Sequence, residues 1–225
     1  MDCLALRCCR LPEVKLIGEV GLFGAAILQT HIPEQRHAAL VFKDRSKKHL
    51  SLLHLAWHYT LKCDPFNAPY RSVPNVHFDE EELEFFAEHA SRLYDENTAG
   101  IPYGMEYTGA SVFNGDLKFI DSPGAGLTCA TFILGFFDSL GFDIIDLSTW
   151  QNRDDDTQWQ SGIFASLEPR LSPERKESQK NLIGAAYRFR PEEVVGSFGV
   201  FKSVPIKFSE AVDVGQQLLD EMRKK

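Results

Sequence analysis

Two apolar runs on either side of a short charged turn constrain this chain more than any other feature. His37-Ala-Ala-Leu-Val-Phe42 has the length and composition of a strand, Lys43-Asp-Arg-Ser-Lys-Lys48 is a polar turn, and His49 to Leu61 reads as a long second strand. Short apolar runs bounded by turn residues pair as a hairpin. Along the second run, alternation puts Leu53, Leu55, Trp57, Tyr59 and Leu61 on one face and Leu50, Leu52, His54, Ala56 and His58 on the other. Both faces are fairly apolar, which predicts a strand inside a sheet and not at its edge. Such a sheet needs covering elements, and the following sequence supplies helices. Residues 63–78, with Pro65, Pro69 and Pro74, read as loop. Asp79 then caps a helix, with Glu82 three residues later as in a capping box, and Leu83, Phe86, Ala87 and Ala90 recur at helical spacing. A second helix runs from Thr128 to Leu140 with an apolar face of Cys129, Phe132, Ile133, Phe136, Phe137 and Leu140. Short strands are expected near 117–120 and 143–147. The expected fold class is α+β, a small antiparallel sheet packed against helices.

The chain has 225 residues, 44% hydrophobic and 25% charged, with a formal charge of -8. These values suit a folded domain and weigh against nucleic acid as a partner, since a net negative surface repels phosphates. The apolar stretch from Gly21 to Leu28 is too short to span a membrane. No secretory leader is visible in the first residues. Residues 151–160 are polar and acidic, with Asp154, Asp155 and Asp156 consecutive. They divide the sequence into a domain over 1–150 and a helical C-terminal extension over 151–225, packed on the same domain or following a long loop. Five cysteines at irregular spacing argue against a disulfide framework and for a reducing compartment, the cytoplasm. Cys3, Cys8 and Cys9 crowd the N-terminus, where acylation, a metal, or an inert terminus are the alternatives.

Gly124-Ala-Gly-Leu-Thr-Cys129 places a cysteine at the start of a helix directly after a glycine-rich turn. Free N–H groups and the helix dipole favour a thiolate there and can hold an oxyanion. The alternative is a small buried residue on an apolar face. A cysteine nucleophile needs a base, and the base gains from a third polar group that fixes its tautomer. Cys129, His37 and His54 fill those roles in that order. A two-residue turn at Arg45-Ser46 would set His37 opposite His54, whereas a four-residue turn would set it opposite Ala56. In either register the two imidazoles share a face, with His58 further along it. A metal reading competes, because His54, His58 and Cys63 form an H-x3-H-x4-C pattern. The aspartates at 143, 146 and 154–156 lack calcium-loop spacing and read as solvated loop.

An apolar strand opening with His37, a second strand carrying His54, and a later helix opening with Leu127-Thr-Cys129-Ala-Thr-Phe132 resemble the circularly permuted papain-like fold. That group includes permuted NlpC-type and PPPDE-type thiol peptidases and lecithin–retinol acyltransferase-like proteins, and the resemblance spans roughly residues 30–147. It implies a cysteine hydrolase acting on an amide or ester carbonyl of a peptide, amide or acyl substrate. Cys129 would be the nucleophile, His37 the general base and His54 its orienting partner. The Cys129 N–H, with a hydroxyl from Tyr103 or Tyr107, would hold the oxyanion. Such chemistry needs no cofactor. The alternatives are a thiol acyltransferase and a non-catalytic binding module on the same fold. The helix N-terminus further predicts that the Cys129 pKa falls below the free value of ~8.5.

Overall fold

The computed structural model describes residues 15–224, so Cys3, Cys8 and Cys9 lie outside the described residues. Five strands form one antiparallel sheet: β1 (Phe23–Gln29), β2 (Arg36–Lys43), β3 (Leu50–Trp57), β4 (Thr60–Pro65) and β5 (Arg71–Val73), in the order β4-β3-β2-β1-β5. The expected α+β class is therefore present, and β3 is an interior strand. The long second strand is not continuous, however. The chain reverses at His58-Tyr59, where Tyr59 adopts φ 53, and β4 folds back on β3 with Trp57 opposite Thr60. The reversal satisfies the second edge of β3, which would otherwise expose a row of unpaired backbone groups. Strand β1 occupies the run from Gly21 to Leu28 that is too short for a membrane, and it pairs with β2 from Phe23↔Phe42 to Gln29↔Arg36. Strand β5 lies within the stretch expected as loop. The short strands expected near 117–120 and 143–147 are reduced to the single bridges Phe113↔Phe119 and Ile145↔Ile206.

Alternation along the strands gives the sheet two apolar faces of unequal size. Ala25, Ile27, Ala38, Leu40, Phe42, Leu53 and Leu55 face the main core. Ala26, Ala39, Val41 and Leu52 face a smaller cluster with Val20, Leu50, Phe66 and Tyr70. Two helices lead onto the main face. Helix α1 (Glu80–Glu96) starts with the expected Asp79–Glu82 capping box. Helix α2 (Cys129–Asp138) starts with a reciprocal Thr128–Thr131 box. Every residue of α2 from Cys129 to Phe137 is buried, so it is a central helix and not an amphipathic one. Its phenylalanines hold the core together: Phe136 stacks on Phe23 at 5.5 Å and Phe137 on Phe198 at 5.3 Å.

Phe198 belongs to the C-terminal quarter of the chain. The last third of the chain forms α3 (Asp156–Leu167), α4 (Pro173–Asn181), α5 (Pro191–Val200) and α6 (Phe208–Arg223). Helix α5 packs on β1, β2 and α2, and its Val194, Val195 and Phe198 enter the same cluster as Phe23 and Phe136. Helix α6 packs on α5. The Glu221 carboxylate of α6 accepts the N–H groups of Leu16 and Ile17 at 3.0 and 2.9 Å, tying the two ends of the described chain together. The composition change near 151 thus marks no separate core.

Candidate active site

His37 stands near the start of β2, where the sheet is one ladder poorer than further along. The β2–β3 pairs run from Lys43↔Leu50 to Leu40↔Leu53 and stop there, while β1 continues beside β2 down to Arg36. This register is that of the longer turn, which puts His37 on the diagonal to His54 and not directly opposite it. Diagonal neighbours on one face remain within reach of long side chains. The contact is made: His37 Nε2 lies 2.8 Å from His54 Nδ1. The second nitrogen of His54, Nε2, lies 3.4 Å from the Asp64 carboxylate on β4. Tyr70 closes the group, its ring 6.4 Å from His37 and 6.3 Å from His54.

The order of these three side chains dictates where the protons sit. A carboxylate only accepts, so His54 carries its proton on Nε2 and presents a lone pair at Nδ1. His37 must then donate through Nε2, which leaves its own Nδ1 as a lone pair. Among the described residues this Nδ1 makes no hydrogen bond. Burial, reinforced by the neighbouring His54, lowers the His37 pKa to about 4. Burial also lowers that of His54, against the pull of Asp64. Both imidazoles are neutral near pH 7, and Nδ1 of His37 is a free base. Asp64 has no counterpart among the sequence expectations, because the turn that creates β4 carries neither glycine nor asparagine to announce it.

Cys129 is delivered to this end of β2 by the glycine-rich turn. Leu127 bridges Tyr103 in parallel, with Leu127 N–H donating to Pro102 O at 3.0 Å and Gly104 N–H to Leu127 O at 3.2 Å. The two segments approach so closely that a Cβ on Gly126 would stand 2.7 Å from the Gly104 nitrogen, so only glycine fits there. Helix α4 braces the turn from outside. Gln179 accepts from Met105 N–H and donates to Gly124 O, and Arg175 donates to Ala125 O and pairs with Asp121. The Cys129 sulfur sits where β2 has lost its β3 neighbour: the N–H of Ala38, the residue after His37, turns toward it, as do those of Ala130 and Cys129.

These donors favour a thiolate, but burial outweighs them. The thiol is pushed up to about 11, first by burial, with the Glu192 charge adding to the rise. The expected depression of the Cys129 pKa is therefore reversed. The dipole argument holds locally, but the helix start is enclosed, and Cys129 is only 6% exposed. The thiol and the His37 imidazole are each neutral at rest, and among the described residues no hydrogen bond joins Cys129 Sγ to His37, whose side chain alternates onto the face opposite to that of Ala38 and Leu40.

The two tyrosines separate. Tyr103 lines the Cys129 cleft, and its hydroxyl oxygen faces the Cys129 N–H. Burial raises its pKa well above the usual range, so the hydroxyl keeps its proton. Tyr107 packs on Phe189 at 5.6 Å and lines a different cavity. His58 is spent on scaffold: its Nδ1 accepts the Tyr103 N–H at 3.1 Å. His54, His58 and Cys63 therefore do not converge. Cys63 instead meets Lys47 Nζ at 3.6 Å, and among the described residues no cluster of three His, Cys, Asp or Glu side chains is arranged to hold a metal.

No family model, curated protein or solved structure matches the chain. Among the described residues no helix is long and apolar enough to cross a membrane.

The Asp64–His54 contact has a measurable consequence. In Asp64→Asn the amide can donate to His54 Nε2 and reverse the proton order, placing a proton on His37 Nδ1 and removing its free lone pair. For a half-exposed partner at 3.4 Å, a reaction that uses this lone pair as a base should lose roughly tenfold to a hundredfold in kcat, with KM unchanged. Steady-state kinetics would read this. A lower melting temperature with unchanged kcat would make Asp64 a structural residue only.

Proposed function

We propose that the protein is a cysteine hydrolase of the permuted papain-like kind, cleaving an amide or ester bond through Cys129, His37 and His54. The observation that carries the reading is the Asp64–His54–His37 chain, which leaves one basic nitrogen free beside the strand end where the helix-borne Cys129 sits. In this reading His37 Nδ1 takes the thiol proton as Cys129 Sγ attacks the carbonyl carbon. The oxyanion is held by the Tyr103 hydroxyl and the N–H groups at the start of α2. His37 then returns the proton to the leaving amine or alkoxide, and water, deprotonated by the same nitrogen, releases the acyl group from the sulfur. The free thiols of Cys63 and Cys129 fit work in a reducing compartment, and we assign the protein to the cytoplasm.

The test is a panel of p-nitrophenyl esters and aminoacyl anilides, assayed with the parent protein and with Cys129→Ala. Turnover in the parent and none in the variant is expected. If an added amine or alcohol captures the acyl group in preference to water, the same thioester serves transfer and not hydrolysis. Equal rates in both proteins would exclude Cys129 as the nucleophile.

A further inference from the structure

The cleft beside Cys129 contains a carboxylate that nothing in the proposed reaction uses. Glu192 lies in the first turn of α5, where the helix N-terminus favours its negative charge. It is 6% exposed, lines the cleft with Cys129, and its charge acts on the sulfur. Its nearest cation, Arg36 Nη1, stands at 3.6 Å, beyond hydrogen-bonding range, and donates instead to Glu34 O at 2.9 Å. Glu192 Oε2 has no partner at all. Glu193 also leaves Oε2 without a partner, but its Oε1 accepts from Arg153 at 2.6 Å, and Asp155 pairs with Arg188 and Arg190 at 3.0 and 2.8 Å. Among the described residues Glu192 thus has an ion pair to Arg36 on Oε1 but no hydrogen-bond donor on either oxygen, and an incoming cation that carries N–H groups would supply one.

The shape of the space agrees with the charge. The cleft holds about 30 Å³, room for one group the size of a water or an ammonium. It adjoins a groove of about 470 Å³ whose lining shares Glu34, Gln35, Trp159 and Arg188 and adds Ile32 and Ile163. Arg188, which also lines the cleft and feels the Glu192 charge, lies over the Trp159 ring at 4.6 Å and is hydrogen-bonded to Asp155 at 3.0 Å.

We propose that Glu192 binds a primary ammonium group of the substrate next to the scissile carbonyl, with the rest of the substrate lying along the Trp159 groove. The substrate class is then aminoacyl or peptidic, with a free amine, and not a plain fatty acyl ester. The position of the scissile bond rests on the cysteine-hydrolase reading; the ammonium site itself does not.

The experiment uses calorimetry on the Cys129→Ala protein, which separates binding from turnover. The probes are phenylalaninamide, N-acetylphenylalaninamide and N-acetyllysinamide. Phenylalaninamide should bind at least tenfold more tightly than its acetylated form, which identifies an α-ammonium. Binding of N-acetyllysinamide instead would identify a side-chain ammonium at the same carboxylate. Either preference should disappear in Glu192→Gln, which keeps the acceptor oxygen and removes the charge. Equal binding of the acetylated and free forms, or no binding of any probe, overturns the proposal. Should Glu192→Gln fail to fold, the acetylation contrast alone decides. Ammonium-selective binding in a parent protein that turns over no substrate would overturn the hydrolase reading and leave this site standing.

Discussion

Replacing His37 with alanine should abolish turnover, lowering kcat a thousandfold or more. The size follows from the protonation state of the pair. With the thiol pushed up to about 11, only about one molecule in ten thousand carries a thiolate at pH 7. In the proposed reaction attack therefore depends on a base that removes the proton as the bond forms, the role proposed for His37 Nδ1. His54→Ala should cost less, because water can take over part of the task of orienting His37. Both variants should melt close to the parent, since the imidazoles contribute to the smaller face of the sheet and not to the phenylalanine core. Kinetics and thermal melts of the two variants give the comparison. Equal destabilisation of both with activity retained would show histidines that serve the sheet alone.

The second large effect is the slowness of the Cys129 thiol toward alkylation. A thiol whose pKa is raised stays protonated until strongly alkaline pH. At pH 7 its thiolate population is roughly a hundredfold or more below that of a free cysteine at ~8.5. Iodoacetamide should thus label Cys129 in the folded protein far more slowly than after unfolding. The folded-state rate should rise about tenfold per pH unit up to pH ~10. Hydrolysis should follow a different profile. The pKa of His37 is lowered to about 4, so its base form persists above that value and is lost only as pH falls through it. Activity should accordingly hold level from neutral pH down to about pH 5 and then decline. Rapid labelling at pH 6.5 would indicate a preformed thiolate–imidazolium pair instead.

The parts of this site that sequence makes legible are those governed by parity and local signals. His37 and His54 share a face in either hairpin register, so their pairing survives the shift from the tight to the longer turn. The Asp79–Glu82 box and the Thr128 start of α2 are local and appear where the spacing predicts. What stays hidden is set by tertiary packing. Asp64 joins the chain only because Tyr59 takes a left-handed conformation that no turn residue advertises. Glu192 reaches the cleft because α5 docks on β1, β2 and α2, a contact across more than sixty residues from Cys129. The same docking encloses the start of α2, which is why the dipole argument gives the wrong sign for the thiol. The order of histidine before cysteine was readable, but the depth at which the cysteine lies was not.

The central claim is that Cys129 forms a covalent acyl-thioester with its proton taken by His37. Its most direct measurement is intact-mass and peptide-mapping analysis after brief mixing with a p-nitrophenyl aminoacyl ester and acid quench. The account requires one acyl group per chain, located on Cys129, absent in Cys129→Ala and formed at least a hundredfold more slowly in His37→Ala. An acyl group on Cys63, or turnover with no adduct on Cys129 at any quench time, would contradict it.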